Sequence, residues 1–418
     1  FSTLIPVFGV SLVIYFNSKN NLIYKILSLK ILVFVGLISY SLYLWHYPIF
    51  AIGRTGEFFG DGISKKLFLI TFIMSLISYY TIEKPIKKKK ISNFKFFIVC
   101  SSIFIFLIII SQLSINGKIK TVRGNILENL SVGNETSNLT VCKKTDISID
   151  NYCVYNPHEK NTIILIGDSH MQTLERPLLE FSNKENFKLI ILNRSACFYF
   201  LGLDLIIKGR ISGCNSKYQK TRREIIMSQN NATVVMGGRT PHYLSGQNFN
   251  NQEGGGDSKK NIGLYYKKDS APLKKIFDTK KLVKDSFDKT INDLTANNQK
   301  VLLIYPIPEV GWNVSKKLVI KLALNTSGLE NIFKSKPLTT SHKVFLDRTR
   351  NIYEIYDNVS AKKILRVYPE KILCDNLIKD RCITHDDKKV FYIDDDHLSY
   401  EGAKLIVNKI KGILYNAN

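Results

Sequence analysis

Two stretches of this chain carry no Asp, Glu, Lys or Arg: Ile31 to Gly53, and the twenty residues from Phe96 to Ile115. As helices, both are long enough to cross the hydrocarbon core of a bilayer, roughly 30 Å thick. Lipid offers the backbone no hydrogen-bond partner, so a helix is the state open to such a run. Two shorter apolar runs, Phe1 to Phe16 and Leu67 to Ile82, fit a buried soluble helix as well as a span, and their neighbours favour spans.

Charge between the runs sets an orientation, because Lys and Arg in short loops stay on the cytoplasmic side. The cluster Lys84, Lys87 to Lys90 and Lys95 marks a cytoplasmic face; Lys19, Lys25 and Lys30 agree, while Lys65 and Lys66 dissent. The span from Phe96 then carries everything after Ile115 out of the cell. Four crossings that end outside begin outside. Signal-peptide features are absent, so the expectation is the C-terminal part of a longer multi-pass protein of the plasma (inner) membrane.

The formal charge of +24 divides into +9 up to Leu113 and +15 beyond it, and the mean hydropathy of -0.03 averages two unlike parts. A uniform globule and an acidic disordered chain are excluded. A basic outer domain suits an anionic polymer or lipid head groups, and its compartment argues against nucleic acid. Of the cysteines, Cys100 lies in a span; the other six form close pairs, Cys142 with Cys153, Cys197 with Cys214 and Cys374 with Cys382. Pairing neighbours closes the smallest loops among several possible connectivities and implies an oxidising compartment. Zinc is the alternative, but no pair is a CxxC and the histidines are scattered, so no metal site is expected.

After a polar linker, residues 116–160, strand-length apolar runs alternate with amphipathic patterns. Strands are expected at Ile163 to Ile166, Phe187 to Leu192, Thr233 to Met236, Val301 to Tyr305 and Ile364 to Val367. Helices are expected near Met171 to Phe181 and at Leu282 to Leu294, Lys343 to Tyr356 and Tyr400 to Leu414. This order describes a three-layer α/β domain with a parallel sheet over residues 161–418, following membrane helices in residues 1–115. Phe249 to Ile262, with Gly254, Gly255 and Gly256, reads as a polar loop or lid.

Chemistry gathers at the two ends of that domain. Gly167-Asp168-Ser169-His170 follows the first strand, which places a serine at a strand-to-helix turn on the sheet's C-terminal edge, with helix N–H groups directed at it. The same residues also fit a plain helix cap by Asp168 or Ser169. Before the last helix stands Asp394-Asp395-Asp396-His397. A histidine can take a serine proton near neutral pH, and a carboxylate three residues earlier can hold its tautomer. Three adjacent aspartates also fit a cap or a calcium cluster.

Gly167-Asp168-Ser169 with Asp394-x-x-His397 resembles the first and last blocks of SGNH (GDSL-like) esterases and acetyltransferases. Gly36 to Pro48, containing Ser-Leu-Tyr-Leu-Trp45-His46, and Ile82-Glu83-Lys84-Pro85 resemble the last spans of the acyltransferase 3 family. The fused arrangement is similar to O-acetyltransferases that decorate lipopolysaccharide and other envelope glycans. The resemblance implies a partial transmembrane helix bundle joined to an SGNH-like domain outside the cytoplasmic membrane. Its catalytic residues would be Ser169, Asp394 and His397, with acetyl-CoA as acyl donor to the intact membrane part, an envelope glycan as acceptor and no bound cofactor. The family's membrane motif, with its His and Arg, belongs to early spans not found here. Trp45 and His46 also fit an interfacial aromatic belt in which His46 is structural. SGNH enzymes take oxyanion donors from a Gly in a second block and an Asn in a third. Of the corresponding stretches, Asn193 to Cys197 has no Gly and Val235 to Arg239 has no Asn, which leaves Ser195, Gly238 and Arg239 as candidates; Arg239 is either a charged substitute donor or a salt-bridged surface residue. His170 and His242 read as surface or wall residues. The competing functions are an extracytoplasmic carbohydrate esterase, in which water replaces the sugar, and a non-catalytic basic module that binds envelope polymer.

Overall fold

The computed structural model describes residues 4–16, 18, 21–55, 63–88, 93–115, 141–142, 147–149, 151–256, 264–268, 278–324, 328–359 and 364–416. The chain divides into two compact units, Phe1–Ile119 and Lys120–Asn418.

Helices make up the described part of the first unit: Leu4–Phe16, Leu22–Leu27, Lys30–Thr55, Ile63–Ser78 and Asn93–Ile115. A π-helical turn, Tyr79–Glu83, continues Ile63–Ser78 into Lys84–Lys88. Among the described residues, Lys30–Ala51 and Lys65–Lys87 are long and apolar enough to cross a membrane, while Leu4–Phe16 and Ser101–Leu113 are shorter apolar helices. The run at Leu67 to Ile82 is therefore longer than the sequence suggested. Its apparent end, Glu83, is satisfied within the unit by the Ser41 hydroxyl at 3.0 Å and the Lys87 ammonium at 2.8 Å, and the helix runs on. Lys30–Thr55 packs on Ile63–Ser78, and small polar residues recur at the buried positions: Ser41, Thr71 and Ser75. Large apolar side chains such as Leu32, Val33, Phe68, Leu69 and Ile73 are exposed.

The second unit contains β1 (Cys153–Tyr155), β2 (Thr162–Gly167), β3 (Lys188–Ile191), β4 (Leu203–Ile207), β5 (Arg210–Ile211) and β6 (Thr233–Gly237). After these come β7 (Leu264–Lys268), β8 (Lys300–Ile304), β9 (Thr339–Ser341), β10 (Ile364–Val367) and β11 (Arg381–Ile383). The main sheet has the order β1-β3-β2-β6-β8-β10; its last five strands are mutually parallel and β1 is antiparallel to β3. Small sheets β5-β4-β7 and β11-β9 flank it.

The five parallel strands lie where the apolar runs place them, but the sheet is mixed rather than wholly parallel. β1 falls in the stretch expected to be linker. It pairs Cys153 with Ile191 and Tyr155 with Leu189, and the Cys142–Cys153 disulfide ties it to the segment before it. Three residues are too few for a hydrophobic alternation to show. The other two disulfides, Cys197–Cys214 and Cys374–Cys382, also join sequence neighbours.

β2 is buried along its whole length, as a strand covered on both faces must be. On one side Ile164, Ile166, Val234 and Leu303 pack with Phe287, Ile291 and Ile352 from the helices Thr279–Ala296 and His342–Asp357. On the other, Ile163, Leu165, Val235 and Ile304 pack with Leu178, Phe181, Ile406 and Ile410 from Glu175–Lys184 and Tyr400–Asn416. The helix expected from Leu282 begins earlier, at Thr279, because the Asp278 carboxylate caps it through Lys280 N and Lys281 N. Of the expected loop at Phe249 to Ile262, residues 257–262 lie outside the described residues. Within the rest, Asn251 donates to Val310 O at 2.7 Å and accepts from Gly255 N at 2.9 Å.

Candidate active site

β2 ends at Gly167, and Ser169 opens the short helix Ser169–Gln172. From β2 the chain passes first to β3 on one side and later to β6 on the other, so the strand order reverses here. Open α/β sheets bind ligands in the crevice at the carboxyl ends of strands at such a point. Gly167 stands in register with Gly237 of β6, and a Cβ on Gly167 would lie 2.3 Å from Gly237 O and 2.4 Å from Met171 Cγ. The turn closes because neither strand end carries a side chain.

Asp168 is fully buried. Its Oδ1 accepts from His170 N at 2.9 Å, and its Oδ2 accepts from Arg239 N at 2.7 Å and from the Tyr243 hydroxyl at 2.8 Å. Burial and the neighbouring Asp168 charge hold the Tyr243 phenol well above its usual range, so it stays a donor. The helix-cap reading therefore describes Asp168, while the adjacent hydroxyl of Ser169 is left for other partners. Gly238 closes the same joint: a Cβ there would meet Asp168 Oδ2 at 2.7 Å and Phe198 Cδ2 at 2.8 Å.

From the other end of the domain comes the loop before Tyr400–Asn416. It is seated on the segment after β8 by Val310 N and Gly311 N, which donate to Asp395 O at 2.8 and 3.0 Å, and by Val314 N, which donates to Asp394 O at 3.2 Å. The loop brings His397 Nε2 to 2.9 Å from Ser169 Oγ, across 228 residues of sequence. On the far side of the ring, Nδ1 lies 2.9 Å from Asp394 Oδ2 and 2.9 Å from Asp396 Oδ1. Asp394 Oδ1 accepts from the backbone N–H groups of Asp396 at 3.0 Å and His397 at 2.8 Å, so this carboxylate also shapes the turn.

Behind His397 the charges are paired and buried. Asp396 Oδ2 lies 3.3 Å from His170 Nε2 and 2.5 Å from an Arg239 Nη1, and the other side of that guanidinium meets Glu309 Oε1 at 2.6 Å. Burial disfavours the His397 imidazolium, but the hydrogen bonds and charges of Asp394 and Asp396 outweigh it and raise the pKa to about 10. Burial likewise opposes the Asp396 anion, yet bonds from His170 and His397 and the charge of Arg239 hold its carboxyl well below the usual range. Asp395 is pushed up by desolvation against the loop and by the like charges of Asp396 and Asp394.

The other candidates fall as follows. Arg239 is salt-bridged but not a surface residue: both edges of its guanidinium are taken by carboxylates, its side chain is 18% exposed, and its backbone N–H faces Asp168. Ser195 is exposed in the loop after β3, where its hydroxyl donates to Gln172 Oε1 at 2.8 Å. His170 is 1% exposed, a buried wall residue and not a surface one, because its Nε2 is drawn to Asp396. His242 is half-buried, with Nδ1 at 3.1 Å from Gln247 O. In the first unit Trp45 is half-buried, and His46 is exposed and donates from Nδ1 to Tyr43 O at 2.6 Å. His170, Asp396 and His397 present ligand atoms within 4.8 Å of one another, as a cation site would. Each already has a hydrogen-bonding partner in the set, and Arg239 supplies the positive charge.

Sequence reasoning missed Asp396 and Glu309. Asp396 sits inside the quoted motif and could have been found from it, whereas Glu309 has no local signal. Chemically, an imidazole anchored by carboxylates at one nitrogen and a serine hydroxyl at the other can move a proton to and from that hydroxyl.

A family model described as "SGNH domain (fused to AT3 domains)" matches residues 141–412. O-acetyltransferase OatA of Staphylococcus aureus is 42% identical over 81 residues, 18% of this chain and 13% of that protein. The peptidoglycan O-acetyltransferase OatA of Listeria monocytogenes is 31% identical over 93 residues, 22% of this chain and 15% of that protein. The chain thus matches a small fraction of the length of these relatives. A solved lipopolysaccharide acetyltransferase periplasmic domain from Salmonella Paratyphi A aligns with a TM-score of 0.40 and 17% identity, covering 70% of this chain and 93% of that one.

Proposed function

The chain belongs to the family of SGNH domains fused to AT3 domains, and from that premise we propose that it is an O-acyltransferase, specifically an O-acetyltransferase, acting on an envelope glycan. The observation that carries this reading is the 2.9 Å approach of Ser169 Oγ to His397 Nε2, with Asp394 and Asp396 on Nδ1. Ser169 Oγ attacks the carbonyl of an acyl donor as its proton passes to His397 Nε2. Collapse of the tetrahedral intermediate returns that proton to the leaving group and leaves an ester on Ser169. A glycan hydroxyl then gives its proton to His397 and attacks the ester; the bond to Ser169 Oγ breaks, Oγ takes the proton back from His397, and the glycan departs acylated. The Ser169 N–H, at the start of its helix, and the Gly238 backbone are the candidate oxyanion donors.

Residues 1–115, within the first unit, would be the C-terminal helices of a multi-pass membrane domain. Their outward-facing apolar side chains support this, since an aqueous surface of that kind is unfavourable. That domain would meet acetyl-CoA as donor substrate. The second unit would lie outside the plasma membrane, in keeping with its three disulfides. The family match, residues 141–412, lies within this unit. The basic surface of this unit would attract an anionic polymer such as lipopolysaccharide or cell-wall glycan.

Replacing Ser169 by Ala in cells that carry the full-length protein is expected to abolish glycan O-acetylation while the protein remains in the membrane. Acetylation at the wild-type level would remove Ser169 from the reaction. Loss of acetyl groups from the glycan when the wild-type protein is expressed would identify a deacetylating esterase instead.

A further inference from the structure

The cluster behind His397 holds more than one orienting acid needs. Asp394 contacts Nδ1 through one oxygen and uses the other to fix two backbone N–H groups of its own turn. Asp396 makes an equally short contact with Nδ1, and its side chain is 4% exposed against 32% for Asp394. A buried charge is less screened, so its effect on the ring is the stronger per unit distance. Two groups from distant elements hold Asp396. His170 approaches from the turn after β2, and its carboxylate-facing Nε2 carries the proton; its Nδ1 finds no partner among the described residues. Arg239 comes from the end of β6. It is braced by Glu309, which also receives Arg348 Nε at 3.4 Å from the helix His342–Asp357. Among the described residues, the further charged or titratable neighbours are Asp395 on the same loop and the buried Tyr392 phenol, which donates to Pro308 O at 2.7 Å.

We propose that His397 takes its orientation and proton affinity from two carboxylates, and that Arg239 is a positioning residue acting on His397 through Asp396. This rests on the reading of Ser169 and His397 as an acyl-transfer pair. Arg239 keeps Asp396 anionic and drawn partly away from the ring. Removing Asp396 therefore makes His397 easier to deprotonate, and removing Arg239 makes it harder. Damage to the fold alone would not give shifts of opposite sign.

The experiment uses the full chain in detergent micelles. Ser169 labelling by a fluorophosphonate is followed against pH, alongside carbethoxylation of His397 read by mass spectrometry, which reports the neutral imidazole directly. Wild type is expected to show one rising limb common to both reactions. Asp396→Asn should move that limb down by at least one pH unit, Arg239→Gln should move it up, and Arg239→Lys, which keeps the cation, should leave it near wild type. In the Asp396→Asn background Arg239→Gln should have little further effect, because the path runs through Asp396. An unmoved limb in Asp396→Asn, or an Arg239→Gln shift of the same size with and without Asp396, overturns the proposal. A wild-type Ser169 that reacts at no pH sinks the acyl-enzyme reading, and the carbethoxylation limbs then judge the pairing alone.

Discussion

At the scale of single residues, the site rests on carboxylates whose environments differ sharply. His397 must be neutral to accept the Ser169 proton, yet Asp394 and Asp396 hold its pKa up to about 10. At pH 7 about one ring in a thousand is then neutral, so labelling of Ser169 should climb close to tenfold per pH unit and level off only near pH 10. A limb centred near pH 6.5 would show that the carboxylates do not act on the ring. Glu175 is the opposite case, a fully buried acid bonded by Asn193, Cys142 and Val141 but by no cation among the described residues. Burial pushes its pKa from 4.5 to about 7 despite those donors. Folding therefore takes up a proton between those values; the domain is favoured below pH 4.5, and the penalty is complete above about 7. Glu175→Gln should raise stability above pH 8 by on the order of 1–3 kcal/mol and change little near pH 4, measured as melting temperature against pH. Asn193 can turn its amide to meet the new one, since its Oδ1 has no partner among the described residues. A carboxylate set three residues before His397 was legible in the sequence, and Asp394 Oδ2 does meet the ring; the helix cap is not there, since Asp394 Oδ1 binds N–H groups of its own turn and Ser399 Oγ accepts from Gly402 N at the start of the last helix. Asp396 stands in the same run and was within reach of that reading; its tie to Arg239 was not legible, because the arginine comes from the end of another strand.

At the scale of elements, hydrophobic pattern located what it could reach. Runs such as Ile163 to Ile166 and Val301 to Ile304 are buried on both faces and announce themselves by composition alone. β1 has three residues and one fully turned-in side chain, so its place in the sheet comes from pairing with β3 and from a disulfide. The π turn at Tyr79–Glu83 was equally invisible, since the apolar run from Leu67 to Ile82 reads the same whether its last turn is α or π. The Cys197–Cys214 bond secures the loop between β3 and β4. It is buried against Gln219, whose Nε2 donates to Phe198 O at 2.7 Å, and against Arg222, whose Nη1 donates to Cys197 O at 3.2 Å. Replacing both cysteines by Ser removes a closure across 17 residues and should lower stability by about 3 kcal/mol, seen as an earlier thermal transition. An unchanged transition would mean that the surrounding hydrogen bonds hold the loop by themselves.

At the scale of the whole molecule, the first unit exposes apolar side chains while the second buries them in two cores, one on each face of its main sheet. This contrast was readable from charge distribution before any element was assigned, because long uncharged runs and a polar remainder cannot share one solvent. The expected topology is tested in spheroplasts: protease added outside should cleave the second unit, and inverted membrane vesicles should protect it. Protection in spheroplasts would reverse the orientation drawn from the lysine cluster. Within the second unit, Ser169 lies at the first parallel strand and His397 just before the final helix, 228 positions later. In the proposed reaction the hydroxyl is therefore synthesised long before the imidazole that would activate it, and it gains that partner only when the loop carrying His397 seats on the segment after β8.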